Sequence, residues 1–139
     1  MNNVKQLTIE ASTKNLDTVL SFVNAELEAL SCAQRIQVQL DIAVEEIFVN
    51  IAHYAYRDGT GEATVRMEVR QEPTAVTITF IDSGTPYDPL SHEDPDITLS
   101  AEDRKIGGLG IYMVKKYMDH VSYQYQNGQN ILTIQKTLN

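Results

Sequence analysis

Apolar residues recur along this chain with two different periods, one typical of helices and one typical of strands. Over residues 16–30 and 33–56, apolar side chains return every three or four positions, which predicts two amphipathic helices. Over residues 4–10, 63–70 and 74–81, apolar and polar side chains alternate, which predicts three strands. The last two strands are separated by Glu72-Pro73, so we expect them to form a hairpin.

The C-terminal part continues the same alternation of elements. A third helix is predicted at 110–118, and a closing hairpin at 121–126 and 131–138, joined by the turn-forming pair Asn127-Gly128. Residues 83–105 are rich in proline and acidic side chains and are expected to form a long loop. The order of elements predicts an α+β fold, with a mixed, mostly antiparallel sheet covered on one face by helices.

Length and charge narrow the class of protein. The chain has 139 residues, 42% of them hydrophobic, so we expect 1–139 to form a single domain. The formal net charge of -8 makes nucleic acids and anionic membranes poor partners. Cys32 is the only cysteine, no apolar run is long enough to span a membrane, and no signal peptide is evident, so a cytoplasmic location is expected.

The second predicted helix carries polar side chains beside its apolar stripe. Glu46 and Asn50 are four positions apart, which places them on one face of that helix. An amide oxygen such as that of Asn50 is a hard ligand suited to Mg²⁺, and a carboxylate such as that of Glu46 can accept a hydroxyl proton. The alternative for the helix taken alone is an ordinary solvated face.

Asp82-Ser83-Gly84 follows the apolar strand of the first hairpin. A carboxylate at that position can accept a hydrogen bond from the exocyclic amine of adenine, and Gly84 removes a side chain that would block a flat base. Asp-x-Gly after a strand is also a common turn signature, so the segment alone leaves the alternative of a simple turn open.

A glycine-rich segment precedes the third predicted helix. Gly107, Gly108 and Gly110 would leave backbone N–H groups exposed at the start of that helix, where phosphates bind. Arg104 and Lys105 are basic residues in an otherwise acidic loop, which favours phosphate binding over the alternative of a flexible hinge. Together, the three segments supply the parts that a site for Mg²⁺-bound ATP requires.

The three segments also resemble the nucleotide-binding boxes of the GHKL superfamily of ATPases and kinases, which has the Bergerat fold, a two-layer sandwich. More narrowly, the chain is similar to the bacterial anti-sigma-factor serine/threonine kinases. The resemblance is carried by three stretches, Glu46-Ile47-Phe48-Val49-Asn50 with Tyr54-Ala55-Tyr56, Asp82-Ser83-Gly84-Thr85-Pro86-Tyr87-Asp88, and Gly107-Gly108-Leu109-Gly110-Ile111-Tyr112-Met113-Val114.

This resemblance implies a role for each segment. Asn50 would hold Mg²⁺, Glu46 would be the base that activates a serine hydroxyl, and Asp82 would read adenine. The loop before Gly107 would be the ATP lid, Leu109 would belong to the phosphate-binding turn, and Thr133 would lie beside the adenine.

The implied activity is transfer of the ATP γ-phosphate to a serine or threonine of a STAS-type antagonist protein, within a partner-switching system. The resemblance also adds a sigma factor and a second copy of this chain as partners. The alternative is a non-catalytic module that sequesters a sigma factor or another regulator.

Two positions depart from the pattern of these kinases. The family often has His where Tyr54 stands, and an arginine that some members use against their partner is Leu20 here. Nucleotide binding is little affected by either change, whereas both bear on which protein is bound.

Overall fold

The computed structural model describes residues 3–57, 59–91 and 108–138, with only the backbone described for Gly108 and Leu109. The α-helices in these ranges are α1 (Leu16–Ala29), α2 (Gln34–Tyr54) and α3 (Gly108–Tyr117). The strands are β1 (Asn3–Glu10), β2 (Glu62–Arg70), β3 (Ala75–Asp82), β4 (His120–Gln126) and β5 (Gln129–Thr137).

The strands form one sheet in the order β1-β2-β3-β5-β4. Each neighbouring pair in the described chain is antiparallel. Both predicted hairpins are confirmed, and Asn127 and Gly128 adopt φ angles of 54° and 78° in the closing turn. This left-handed backbone is what a two-residue hairpin turn requires, and Asn and Gly adopt it readily.

Alternation along the strands places one face of the sheet against the helices. In β2 and β3, every second side chain is buried, as are Leu132 and Ile134 of β5. The apolar stripes of α1 and α2 pack on this face, and the core includes Phe48 and Phe80. The structure thus confirms the α+β class and the two-layer arrangement.

The helix boundaries differ slightly from the predicted ones. The second helix ends at Tyr54, two residues before the predicted end. The third helix begins at Gly108 rather than Gly110, so Gly110 lies in its first turn. Helical periodicity marks the buried face of a helix more clearly than its ends, because terminal residues have fewer packing partners.

Of the predicted loop, residues 83–91 are described, and they end in a 3₁₀ turn, Pro89–Ser91. The remainder of that prediction lies outside the described residues. Within the described part of the chain, no helix combines the length and the apolar character that a membrane crossing requires.

Candidate nucleotide-binding site

An open pocket lies between α2, β3, α3 and the closing hairpin, with about 490 Å³ of empty space that includes open solvent at its mouth. Asn50 from α2 and Asp82 from β3 both line it, so the structure brings these two predicted site residues together. The other lining residues are Ile47, Ile51, Tyr54, Ala55, Phe80, Thr85, Tyr87, Pro89, Ile111, Tyr123, Asn130 and Leu132. A mostly apolar wall with few polar groups is typical of a small-molecule site.

Glu46 lies one helical turn before Asn50, and the two side chains are hydrogen-bonded. Asn50 Nδ2 donates to Glu46 Oε1 over 3.1 Å. Because the amide nitrogen is used in this way, the amide oxygen of Asn50 remains available as a metal ligand. Among the described residues, no group of three or more His, Cys, Asp or Glu side chains could hold a metal ion. A single amide ligand instead suits Mg²⁺ that is coordinated mainly by phosphates and water.

Gly110 brings α3 into contact with Glu46. A Cβ atom at Gly110 would overlap the Glu46 carboxyl group, so the missing side chain makes room for that carboxylate. The sequence suggested only that the glycines expose backbone N–H groups. In the structure, Gly110 also determines how closely α3 approaches Glu46.

Asp82 is 5% exposed at the end of β3, where its carboxylate is fixed by two donors. Its Oδ1 accepts from Gly84 N over 2.9 Å and from Asn130 Nδ2 over 2.9 Å. Both donors meet the same oxygen, so the carboxyl group acts as an acceptor in this turn.

Gly84 lies against the end of α2. A Cβ atom there would overlap the backbone carbonyl of Ala55, which also accepts a 2.8 Å hydrogen bond from Thr85 N. The glycine is therefore required for close backbone packing, a reason the sequence alone did not provide.

Asn130 is a site residue that sequence reasoning missed. It is buried in β5, directly opposite Asp82 in the strand register. Because it closely follows the Asn127-Gly128 turn, it resembles an ordinary turn residue in the sequence. The local signal was its alternation with Leu132 and Ile134, which does not by itself decide the buried face because Ile131 lies in the opposite set.

Thr133 does not join this group. Its strand partner is Thr79, and side chains at odd and even positions of a strand point to opposite faces. Asn130 and Leu132 share the buried face with Asp82, so Thr133 projects from the other face of the sheet. The structure therefore does not support the expected place of Thr133 beside the adenine.

The other predicted phosphate-binding residues lie at or before the start of α3. The backbone of Gly108 and Leu109 opens the helix. Arg104, Lys105 and Gly107 lie outside the described residues.

Three tyrosines surround the Asp82 turn. Tyr56 Oη donates to Glu62 O over 2.6 Å and accepts from Ser83 N over 2.8 Å. Burial raises the pKa of Tyr56, Tyr87 and Tyr123 above the ordinary tyrosine value. These hydroxyls therefore remain protonated at neutral pH and can act as donors.

Known proteins with related sequences are protein kinases by name. The chain is 30% identical over 100 residues to the serine/threonine-protein kinase BtrW of Bordetella bronchiseptica, an alignment that covers 72% of this chain and 70% of that protein. It is 30% identical over 98 residues to the serine-protein kinase RsbW of Listeria monocytogenes, covering 67% of this chain and 61% of that protein.

A solved structure shows the same fold. It contains the RsbU and RsbW domains of a Mycobacterium tuberculosis protein and superposes with a TM-score of 0.69 at 14% sequence identity. The match covers 98% of this chain and 32% of that one. Residues 9–136 also match the family described as the histidine kinase-like ATPase domain. This chain therefore belongs to the histidine kinase-like ATPase domain family.

Proposed function

We propose that this protein is an ATP-dependent serine/threonine protein kinase of the anti-sigma-factor type. Its substrate would be a serine or threonine on a STAS-type antagonist protein, and its second partner a sigma factor. The supporting observation is the convergence of Asn50 and Asp82 on one pocket, with Glu46 hydrogen-bonded to Asn50. The reaction belongs in the cytoplasm, where ATP is available.

The pocket fits Mg²⁺-bound ATP through separate groups. Asp82 would accept a hydrogen bond from the adenine, and the Asn50 amide oxygen would hold the metal. The backbone of Gly108 and Leu109 at the start of α3 would donate to phosphate, together with Gly107, Arg104 and Lys105. When bound, Mg²⁺ neutralises charge on the β- and γ-phosphates.

Glu46 would act as the general base. Its carboxylate is held by the Asn50 amide and lies against Gly110, so its position is defined from both α2 and α3. A hydroxyl presented at the rim of the pocket would transfer its proton to Glu46 as the phosphoryl group is transferred.

The test is label transfer from radioactive ATP, with Mg²⁺, to a STAS-type antagonist encoded near this protein's gene. We expect Glu46→Gln to slow transfer roughly 10²- to 10⁴-fold with little change in ATP affinity, because only the base is lost. Asn50→Ala should weaken binding of Mg²⁺-ATP and abolish transfer.

Glu45→Gln is the matched control, since Glu45 is the exposed neighbour on the same helix. It should transfer label as fast as the wild type. Equal transfer by wild type, Glu46→Gln and Asn50→Ala would refute the kinase proposal. Stoichiometric capture of the partner without any transfer would favour the sequestering module instead.

A further inference from the structure

The side chain of Asn130 is buried in the wall of the pocket, 7% exposed, and both ends of its amide are hydrogen-bonded to the protein. Its Nδ2 donates to Asp82 Oδ1 over 2.9 Å and to Thr85 O over 3.0 Å, with Gly84 O more distant at 3.5 Å. Its Oδ1 accepts from Tyr87 N over 3.1 Å and from the hydroxyl of Tyr123.

These contacts use the full hydrogen-bonding capacity of the amide. An asparagine side chain has two N–H donors and two acceptor lone pairs, and each has a protein partner here. The orientation of the amide is also determined, because Thr85 O can only accept and Tyr87 N can only donate. Asn130 has no remaining group with which to bind a ligand, so its effect on a ligand acts through the groups that it holds, among which Asp82 carries the charged acceptor.

The effect on Asp82 is to occupy one carboxylate oxygen. Gly84 N and Asn130 Nδ2 both donate to Oδ1. Within the described residues, no hydrogen bond to Oδ2 is present. Rotation of the carboxylate would break both bonds to Oδ1, so Oδ2 is the oxygen left to meet a ligand in the pocket.

We propose that Asn130 is a positioning residue that orients Asp82 and thereby makes the pocket selective for adenine over 6-oxopurines. A 6-amino group donates to Oδ2, whereas the 6-oxo group of inosine or guanine places an acceptor against it. The proposal rests on the ATP site of the proposed function and adds the residue that gives that site its base selectivity.

The deciding variant is Asn130→Asp, which preserves the shape of the side chain and replaces the amide by a carboxyl group. At low pH, the new carboxyl and Asp82 would share one proton, because two adjacent carboxylates do not readily ionise together. The shared proton replaces the Asn130 donor, so Asp82 keeps its orientation. At higher pH, both groups ionise and repel, and Asp82 is displaced.

We therefore expect the variant to bind Mg²⁺-ATP nearly as well as the wild type at about pH 5 and roughly tenfold to a hundredfold more weakly at about pH 8. Binding of Mg²⁺-ITP should be weak in both proteins and should change little with pH. Isothermal calorimetry gives both affinities without any protein substrate, and the variant-to-wild-type ratio removes the titration of the nucleotide itself.

Other titratable groups around Asp82 and residue 130 do not produce this pH dependence of ATP affinity. The neighbours are Asp88 and the hydroxyls of Tyr56, Tyr87 and Tyr123, all of which are unchanged in the variant. Asn127→Asp is the matched control, because it makes the same chemical change at an exposed turn of the same hairpin. Its ATP affinity should follow that of the wild type at every pH.

The possible results test the role of Asn130 separately from the proposed function. A variant whose ATP affinity equals that of the wild type at both pH values, or that loses ATP and ITP binding equally, would overturn the role of Asn130. Wild-type protein that binds no ATP would refute the proposed function itself, and the two failures are thus distinguishable.

If Asn130→Asp does not fold, a measurement on the wild-type protein still tests the role of Asn130. The side-chain NH₂ protons of Asn130 should exchange slowly with solvent by NMR, with and without Mg²⁺-ATP. Fast exchange of both protons in the ATP complex would contradict the proposal.

Discussion

At Gly110, the absence of a side chain allows the Glu46 carboxylate to lie against the first turn of α3. The neighbour that a new methyl group would displace is the far end of a flexible side chain, not backbone. Such a displacement is inexpensive for the fold but moves the proposed base. Gly110 therefore links helix packing directly to the chemistry of the site.

We expect Gly110→Ala to slow phosphoryl transfer roughly tenfold to a hundredfold, because small misplacement of a reacting group has effects of that size. The free energy of unfolding should change by less than about 1 kcal/mol, since alanine is the better helix former. Transfer rates and urea denaturation measure the two effects. Gly59→Ala is the control, because nothing lies within 4 Å of a Cβ at Gly59. An unchanged transfer rate in Gly110→Ala would contradict the assigned role of Glu46.

At the scale of elements, the end of α2 and the turn after β3 are joined by a hydrogen bond between backbone groups. Thr85 N donates to Ala55 O over 2.8 Å, and Gly84 leaves space for that carbonyl. Since Asn50 is on α2 and Asp82 is on β3, this junction fixes the spacing of the proposed metal ligand and the proposed adenine acceptor.

We expect Gly84→Ala to destabilise the protein by about 1–3 kcal/mol, because the new Cβ overlaps backbone that cannot move independently. The urea midpoint should fall relative to wild type and to Gly59→Ala. Equal urea midpoints for the two alanine variants would show that the junction between α2 and the turn after β3 accommodates the new Cβ atom without strain.

Local patterns were sufficient to predict most elements but not the side chains that complete the site. Alternation and the Asn127-Gly128 turn predicted the closing hairpin correctly. They did not show which face of β5 is buried. Asn130 and Thr133 lie on opposite faces of this strand, and apolar residues occur on both faces. The pairing of β5 with β3 determines which face is buried. That pairing is a long-range contact, which a short stretch of sequence does not reveal.

The same limit applies to the glycines. The sequence places Gly84 and Gly110 beside a nucleotide, and that expectation remains a prediction. Their contacts with Ala55 and Glu46 depend on how α2 packs on the sheet and on α3. No spacing along the chain encodes those contacts.

For the whole molecule, the pocket exists only when distant parts of the chain are assembled. Its walls come from α2, from β3 and from the consecutive elements α3, β4 and β5, three parts of the chain that are far apart in sequence. An unfolded chain therefore offers no comparable site, and nucleotide binding is coupled to folding.

We expect Mg²⁺-ATP at about 100 times its dissociation constant to raise the free energy of unfolding by about 2.7 kcal/mol. The increase should be clearly smaller in Asn50→Ala at the same nucleotide concentration, because that variant loses the proposed metal ligand and binds Mg²⁺-ATP more weakly. Urea titrations with and without nucleotide measure it. Identical midpoints for the wild type in both conditions would mean that the folded chain does not bind ATP.

The position of β5 between β3 and β4 has a consequence for synthesis of the protein. While the ribosome is still translating residues 129–137, β3 lacks one of its two partner strands and Asp82 lacks Asn130. A nascent polypeptide would acquire the pocket proposed for adenine only after this strand has left the exit tunnel.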